Sequence, residues 1–162
     1  MSENQNPQLP PNPDEAIEVD DSLHATTDKW FEYPVLVHPH HTDYAGVVWH
    51  GNYIKWMEEA RIEYLNSIGL DYTEIVSHGF ELPVVEVNLR YHQSLKMGDK
   101  AIVKTRLHQL RGVRMNFEYQ ITNLRGSTIY VSGKVVLVGI DREKGKIMRQ
   151  LPSILKNALV KL

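Results

Sequence analysis

Residues 50–68 limit what this chain can fold into more than any other stretch. Tyr53, Trp56, Met57, Ala60, Tyr64 and Ile68 recur at spacings of three and four, and Lys55, Glu59 and Asn66 fall opposite. The pattern predicts one helix that starts near His50–Asn52, runs to Ile68 and stops at Gly69. At 1.5 Å per residue it is about 27 Å long. Its aromatic stripe needs a broad apolar surface to cover it, and the rest of the chain offers strands. Over 84–91, Val85, Val87, Leu89 and Tyr91 alternate with Val84, Glu86, Asn88 and Arg90. Over 113–122, Val113, Met115, Phe117, Tyr119 and Ile121 share one side, while 101–109 alternate less cleanly. Residues 128–140 are apolar on both faces, as a central strand is. Gly98-Asp99, Arg111-Gly112 and Arg125-Gly126 read as hairpin turns. A strand over 30–37 precedes the helix, and Pro34, which has no N–H to give, makes it late-starting or an edge. A short helix at Tyr72–Ser77, a strand near 146–150 and a last helix opened by Pro152 complete the list. One long helix followed by consecutive antiparallel strands is an α+β plan.

At 162 residues the chain is one domain. It has no cysteine, which excludes disulfides, thiolate catalysis and cysteine-bound metals. A net charge of −2 argues against nucleic acid and anionic membrane surfaces as partners. No apolar run reaches the roughly 18 residues of a membrane span. The N-terminus lacks the basic and apolar regions of a secretory signal, so the expected location is cytoplasmic. Residues 1–28 are poor in large apolar side chains and rich in Asn, Pro, Gln, Asp and Glu. They read as a disordered leader to a domain over 29–162.

The chemistry is concentrated in residues 38–61, HPHHTDYAGVVWHGNYIKWMEEAR. Metal ligation has loose support: His38 and His40 would share a strand face, but no helical pair of ligands joins them. Serine catalysis has less, because no Gly-x-Ser-x-Gly elbow occurs and Ser94 and Ser132 have no base near them in sequence. The third possibility is Asp43. It lies a few residues upstream of a helix N-terminus, whose unpaired N–H groups and partial positive charge can hold a developing oxyanion. A carboxylate facing a carbonyl held in that way is an acyl-transfer site. Taken alone, a loop aspartate more often caps a turn.

The ordered set Thr42-Asp43, Gly46-Val47-Val48, Trp49, His50, Tyr53 and Glu58 before Ala60-Arg61 shifts that balance. It resembles the signature of the 4-hydroxybenzoyl-CoA thioesterase branch of the hot-dog fold, which includes the YbgC-type bacterial acyl-CoA thioesterases. LPVVEVNLRYHQSLKMGD resembles the strand and turn that follow there, and the likeness spans about residues 30–150. The resemblance implies an antiparallel sheet wrapped around the long helix. It implies hydrolysis of an acyl-CoA or aryl-CoA thioester, with Asp43 as nucleophile or general base and the backbone N–H of His50 polarising the carbonyl. Tyr44, Gly46, Val48, Trp49 and Tyr53 are then expected against the substrate. Arg111 and Arg114 fall on the hairpin that family members place near the CoA nucleotide, where they would clamp phosphate. No metal and no organic cofactor is implied, CoA being part of the substrate. A homodimer or homotetramer with sites at the subunit interface is. His40-His41, where many relatives carry acidic residues, and Tyr44-Ala45 are departures that bear on the acyl group. An acyl-carrier-protein thioesterase and a non-catalytic acyl-CoA-binding protein are the competing readings. Glu58 is about 12 Å along the helix axis from His50, which suits an intrahelical pair with Arg61 better than catalysis.

Overall fold

The long amphipathic helix forms where its stripe predicts, as α1 (His50–Ser67). The computed structural model describes residues 28–160. The reading of residues 1–28 as a leader therefore lies outside the described residues, apart from Asp28. Before α1 come β1 (Phe31–Leu36) and a 3₁₀ turn at Pro39–His41. After it come α2 (Tyr72–Ser77), β2 (Phe80–Glu81), β3 (Val84–Tyr91), β4 (Lys100–Arg111), β5 (Arg114–Thr122) and β6 (Ile129–Val138). β7 (Ile140–Asp141), β8 (Lys146–Ile147) and α3 (Ser153–Val160) close the chain. The main sheet is antiparallel, in the order β1-β4-β5-β6-β3, and a three-stranded sheet, β2-β7-β8, stands apart from it.

α1 ends in a tight cap. Leu70 N–H donates to the Leu65 carbonyl (2.9 Å) and Gly69 N–H to that of Asn66 (3.0 Å). Gly69 supplies the left-handed φ of 82° that this closure needs. Leu65 and Leu70 are both buried beneath it. Tyr53, Trp56, Met57, Ala60 and Tyr64 bury the predicted stripe, as part of one core with Ala101, Val103, Leu107, Met115, Phe117, Ile121 and Val135 of the sheet. Tyr64 meets Phe31 and Phe117 edge-on, with ring centroids 6.0 and 5.9 Å apart. Each large apolar side chain so buried stabilises the fold by about 1.5–3 kcal/mol.

One charged residue enters that core. Arg61 is buried, and its Nη1 donates to the Tyr119 hydroxyl at 2.9 Å. Burial pushes the Tyr119 phenol up, against the pull of the Arg61 charge and hydrogen bond. The Glu58–Arg61 pair expected from the helix spacing does not form, because the guanidinium turns inward to Tyr119.

β1 is an edge strand, as Pro34 requires. The uneven alternation of β4 has a physical cause: Leu107 pairs with Phe117 and Gln109 with Asn116, so His108 is an extra residue in a bulge. Inward positions run 101, 103, 105, 107 and then 110. Three expectations need correction. Gly98-Asp99 is not a hairpin turn, because β3 and β4 are not neighbours and the chain crosses there from the β3 edge to β4, the strand beside β1. The strand expected near 146–150 is only Lys146–Ile147. Pro152 precedes α3 rather than opening it, and its carbonyl accepts from Lys156 N–H (3.0 Å). β2 and β7, at two residues each, are too short to carry a period.

Candidate active site

The segment from His38 to Trp49 is pinned at both ends. At one end, Val37 N–H donates to the Asp99 carbonyl (2.9 Å) and Gly98 N–H to that of Val37 (2.9 Å), fixing the chain beside the start of β4. At the other, Thr42 pairs with Val48 and Val47 with Lys96. Asp43 opens a tight turn between them. Its N–H donates to the Val47 carbonyl (2.9 Å), and its own carbonyl accepts from Gly46 N–H (3.0 Å). Its Oδ1 accepts from Ala45 N–H at 2.8 Å. The capping role of a loop aspartate is thus present. Oδ2 bonds to nothing among the described residues.

α1 begins immediately after this turn. Trp49 N–H donates to the His41 carbonyl and Asn52 N–H to that of Trp49, both at 2.9 Å. The N–H groups of His50 and Gly51, first in the helix, have no hydrogen-bond partner among the described residues, as expected of a helix start. The Trp49 ring folds back over this turn. It lies 5.0 Å from the His50 ring, centroid to centroid. A Cβ on Gly51 would lie 2.1 Å from the indole, so no larger residue fits there without moving it.

The other expected contact residues divide. Trp49 and Tyr44 are exposed, Tyr44 completely. Val48 and Tyr53 are buried in the core. Both meet Leu95, whose carbonyl accepts from Val48 N–H (2.9 Å) and whose N–H donates to the Tyr53 hydroxyl (3.1 Å). Burial raises the Tyr53 pKa, with the Leu95 bond acting against it. Gly46 closes the Asp43 turn. Arg111 and Arg114 face each other at the β4–β5 hairpin, at the far end of the sheet. β4 starts opposite Leu36, beside the Asp43 loop, and its twelve residues carry Arg111 about 36 Å away. One chain therefore does not bring the arginines to Asp43.

The histidines stack among themselves. The rings of His38, His40 and His41 lie 4.1–5.6 Å apart, and His41 Nδ1 accepts from His38 N–H (3.0 Å). Burial, then the neighbouring His40 and His38, lower the His41 pKa and favour its neutral form. Among the described residues no group of His, Asp or Glu is arranged to hold a metal ion.

Three residues that matter here escaped the sequence reading. Leu95 ties Val48 to Tyr53. The Tyr91 hydroxyl donates to the His50 carbonyl (3.1 Å). Asn52 Nδ2 donates to the His41 carbonyl (2.6 Å). Asn52 did carry a signal, as a polar residue in line with Trp56 and Ala60 on the helix face that is otherwise apolar.

Residues 37–158 match a family model described as the thioesterase-like superfamily. The sll0410 protein of Synechocystis, which carries a provisional esterase name, is 47% identical over 164 positions, covering 100% of this chain and 99% of its own. That match includes residues 1–28, which the family model does not reach. The acyl-CoA thioester hydrolase YbgC of Escherichia coli is 28% identical over 75% of this chain and 90% of its own. A solved structure, a 1,4-dihydroxy-2-naphthoyl-CoA thioesterase from Synechocystis, matches with a TM-score of 0.76 at 26% identity, over 83% of this chain and 98% of that one.

Proposed function

The chain belongs to the thioesterase-like superfamily of hot-dog enzymes, and on that premise we propose that it hydrolyses an acyl-CoA or aryl-CoA thioester with Asp43 as its catalytic carboxylate. The observation that carries this reading is the joining of a carboxylate turn to a helix start. Asp43 opens a turn tied back to Val47, and that turn runs directly into the helix start, where the N–H groups of His50 and Gly51 bond to nothing else among the described residues. Those N–H groups suit the oxygen of a thioester carbonyl, and suit it better as charge develops.

As general base, Asp43 takes a proton from water while the water oxygen bonds to the carbonyl carbon. The oxyanion sits at His50 N–H. Its collapse breaks the carbon–sulfur bond, and the CoA thiolate takes the proton back from Asp43. As nucleophile, Asp43 bonds the acyl carbon itself, expels the thiolate, and water cleaves the resulting anhydride. Both routes balance without a metal or organic cofactor, and both need the ionised carboxylate.

The reading extends to two copies of the chain. β3 is the edge strand opposite β1 and is exposed on both faces, with Val84, Val85 and Val87 each 43–50% accessible. An apolar open edge of that kind is a template for another strand. If a second copy pairs there antiparallel, its Val84 end lies beside the first copy's Tyr91 end. Arg114 is aligned with Val138, and Val138 lies next to the residues paired with Val84, at that same end. The partner's hairpin then stands two strand spacings, about 10 Å, from its β3. Arg111 and Arg114 suit a CoA phosphate clamp supplied in trans.

A panel of aliphatic, aromatic and carrier-protein thioesters, followed by release of free thiol, tests the proposal. Turnover of one or more CoA esters, lost in Asp43→Asn, is the expected result. Binding of CoA esters with no hydrolysis of any thioester would leave a binding protein instead.

A further inference from the structure

Asn52 is a buried polar residue, 7% exposed, on the core-facing side of the first turn of α1. Its Nδ2 donates to the His41 carbonyl oxygen at 2.6 Å. The same oxygen accepts from Trp49 N–H at 2.9 Å. Two donors therefore fill both acceptor positions of one carbonyl, and that carbonyl lies two residues before Asp43. The donors differ in kind. Trp49 belongs to the connection, whereas Asn52 belongs to the helix and is packed into the core. A carbonyl held by one bond can still pivot about it; a second bond, from a side chain fixed by burial, sets its direction. The His41 ring reinforces the anchor by meeting Trp56, one turn beyond Asn52, edge-on at 5.1 Å.

We propose that Asn52 is a positioning residue for thioester hydrolysis. By gripping the His41 carbonyl it holds the Asp43 turn at a fixed place relative to the N–H groups of His50 and Gly51. The inference rests on the reading of Asp43 as the catalytic carboxylate. It assigns Asn52 no contact with substrate.

The test uses Asn52→Asp and Asn52→Ala in the full chain, assayed with the acyl-CoA that the wild type turns over fastest. Asp has the size of Asn and adds negative charge to the first turn of a helix, where the dipole favours it. It also sets an acceptor against the His41 carbonyl. The expected Asp variant folds with a lowered melting temperature, because a buried hydrogen bond is lost and two acceptors face each other, and keeps its KM, while kcat of the folded enzyme falls on the order of 10²-fold, the scale of an ångström of misplacement at a reacting centre. Asn52→Ala, which removes the donor without adding charge, shows the same loss of kcat per folded enzyme and covers the case in which the Asp variant does not fold. A purely structural role predicts the same lowered melting temperature with kcat unchanged in what remains folded, and that result overturns the inference. Asp43→Asn separates the two claims. If it keeps full activity, the reading of Asp43 fails. If it is inactive while a folded Asn52 variant turns over normally, the Asn52 inference alone fails.

Discussion

The hydroxyl of Tyr91, the last residue of β3, donates to the backbone carbonyl of His50, the first residue of α1, at 3.1 Å. The outer strand of the sheet thereby holds the start of the helix whose N–H groups are proposed to polarise the substrate. Tyr91 also meets Tyr53 edge-on at 5.7 Å. Whatever pairs with β3 therefore acts close to the candidate site.

Tyr91→Phe keeps that ring contact and deletes the hydrogen bond. It should lower stability by about 0.5–1.5 kcal/mol and reduce kcat more than it changes KM. Urea melts and initial rates at one fixed protein concentration check both; unchanged values would mean the bond does not hold the helix start.

Asp43→Asn preserves an Oδ1 that can accept from Ala45 N–H, so the turn should persist. Turnover should fall by roughly 10² or more, as for loss of a catalytic acid or base, while CoA-ester binding survives. Asp43→Ala should lose the turn as well and melt earlier. His50→Ala should be milder, because the proposed donor is backbone; a dead His50→Ala beside an active Asp43→Asn would make the imidazole the catalyst.

Alanine at both Arg111 and Arg114 should raise KM for acyl-CoA and leave kcat nearly unchanged. A pantetheine thioester, which lacks the nucleotide, should not register the change. Equal losses on both substrates would refute the clamp.

Val87 lies near the middle of β3, so a two-fold pairing would bring Val87→Glu close to its own copy and set like charges together. Light scattering at micromolar concentration should show a shift from dimer or tetramer to monomer, with activity lost in parallel. A wild-type chain that is monomeric and active under those conditions would contradict the proposed interface.

Glu118 is the acidic centre of the outer sheet face, in a groove of about 420 Å³ that also includes Trp30, Arg90 and Lys134. Arg106 donates to its Oε2 from Nε (3.0 Å) and Nη2 (2.8 Å) and also stacks 4.4 Å over the Trp30 ring. Partial burial opposes the Glu118 charge, but the Arg106 hydrogen bonds and the charges of His108, Arg106 and Lys134 outweigh it and lower the pKa. Glu118→Gln should cost about 1–3 kcal/mol. The sign follows from linkage: the wild-type advantage is full above the ordinary glutamate value of 4.5 and is lost as pH falls through the lower folded value. Denaturation of both proteins at pH 7 and in acid should show the gap closing.

Much of the fold was legible because periodicity reports burial directly. The stripe from Tyr53 to Tyr64 and the alternation from Met115 to Ile121 are each set by one buried face. β3 misled in part. Its alternation is real, but Val84, Val85 and Val87 are exposed within one chain, since alternation cannot say whether a face meets the core or a partner. Gly98-Asp99 carried the composition of a hairpin, yet turn residues record local φ and not which strands pair. The loop position of Asp43 just before a helix start was legible, whereas its proposed role came from the resemblance of the motif around it. The grip of Asn52 on His41 was not legible, because a contact across eleven residues depends on how the loop folds back.

The bulge at His108 also makes one residue of this sheet expendable. A deletion elsewhere within β4 would carry every later side chain of the strand to the opposite face. Loss of His108 would instead join Leu107 to Gln109 in plain alternation and leave Leu110 inward, with the pairs to Phe117, Asn116 and Met115 intact. Related chains can therefore differ in length by one residue here without any core residue changing sides.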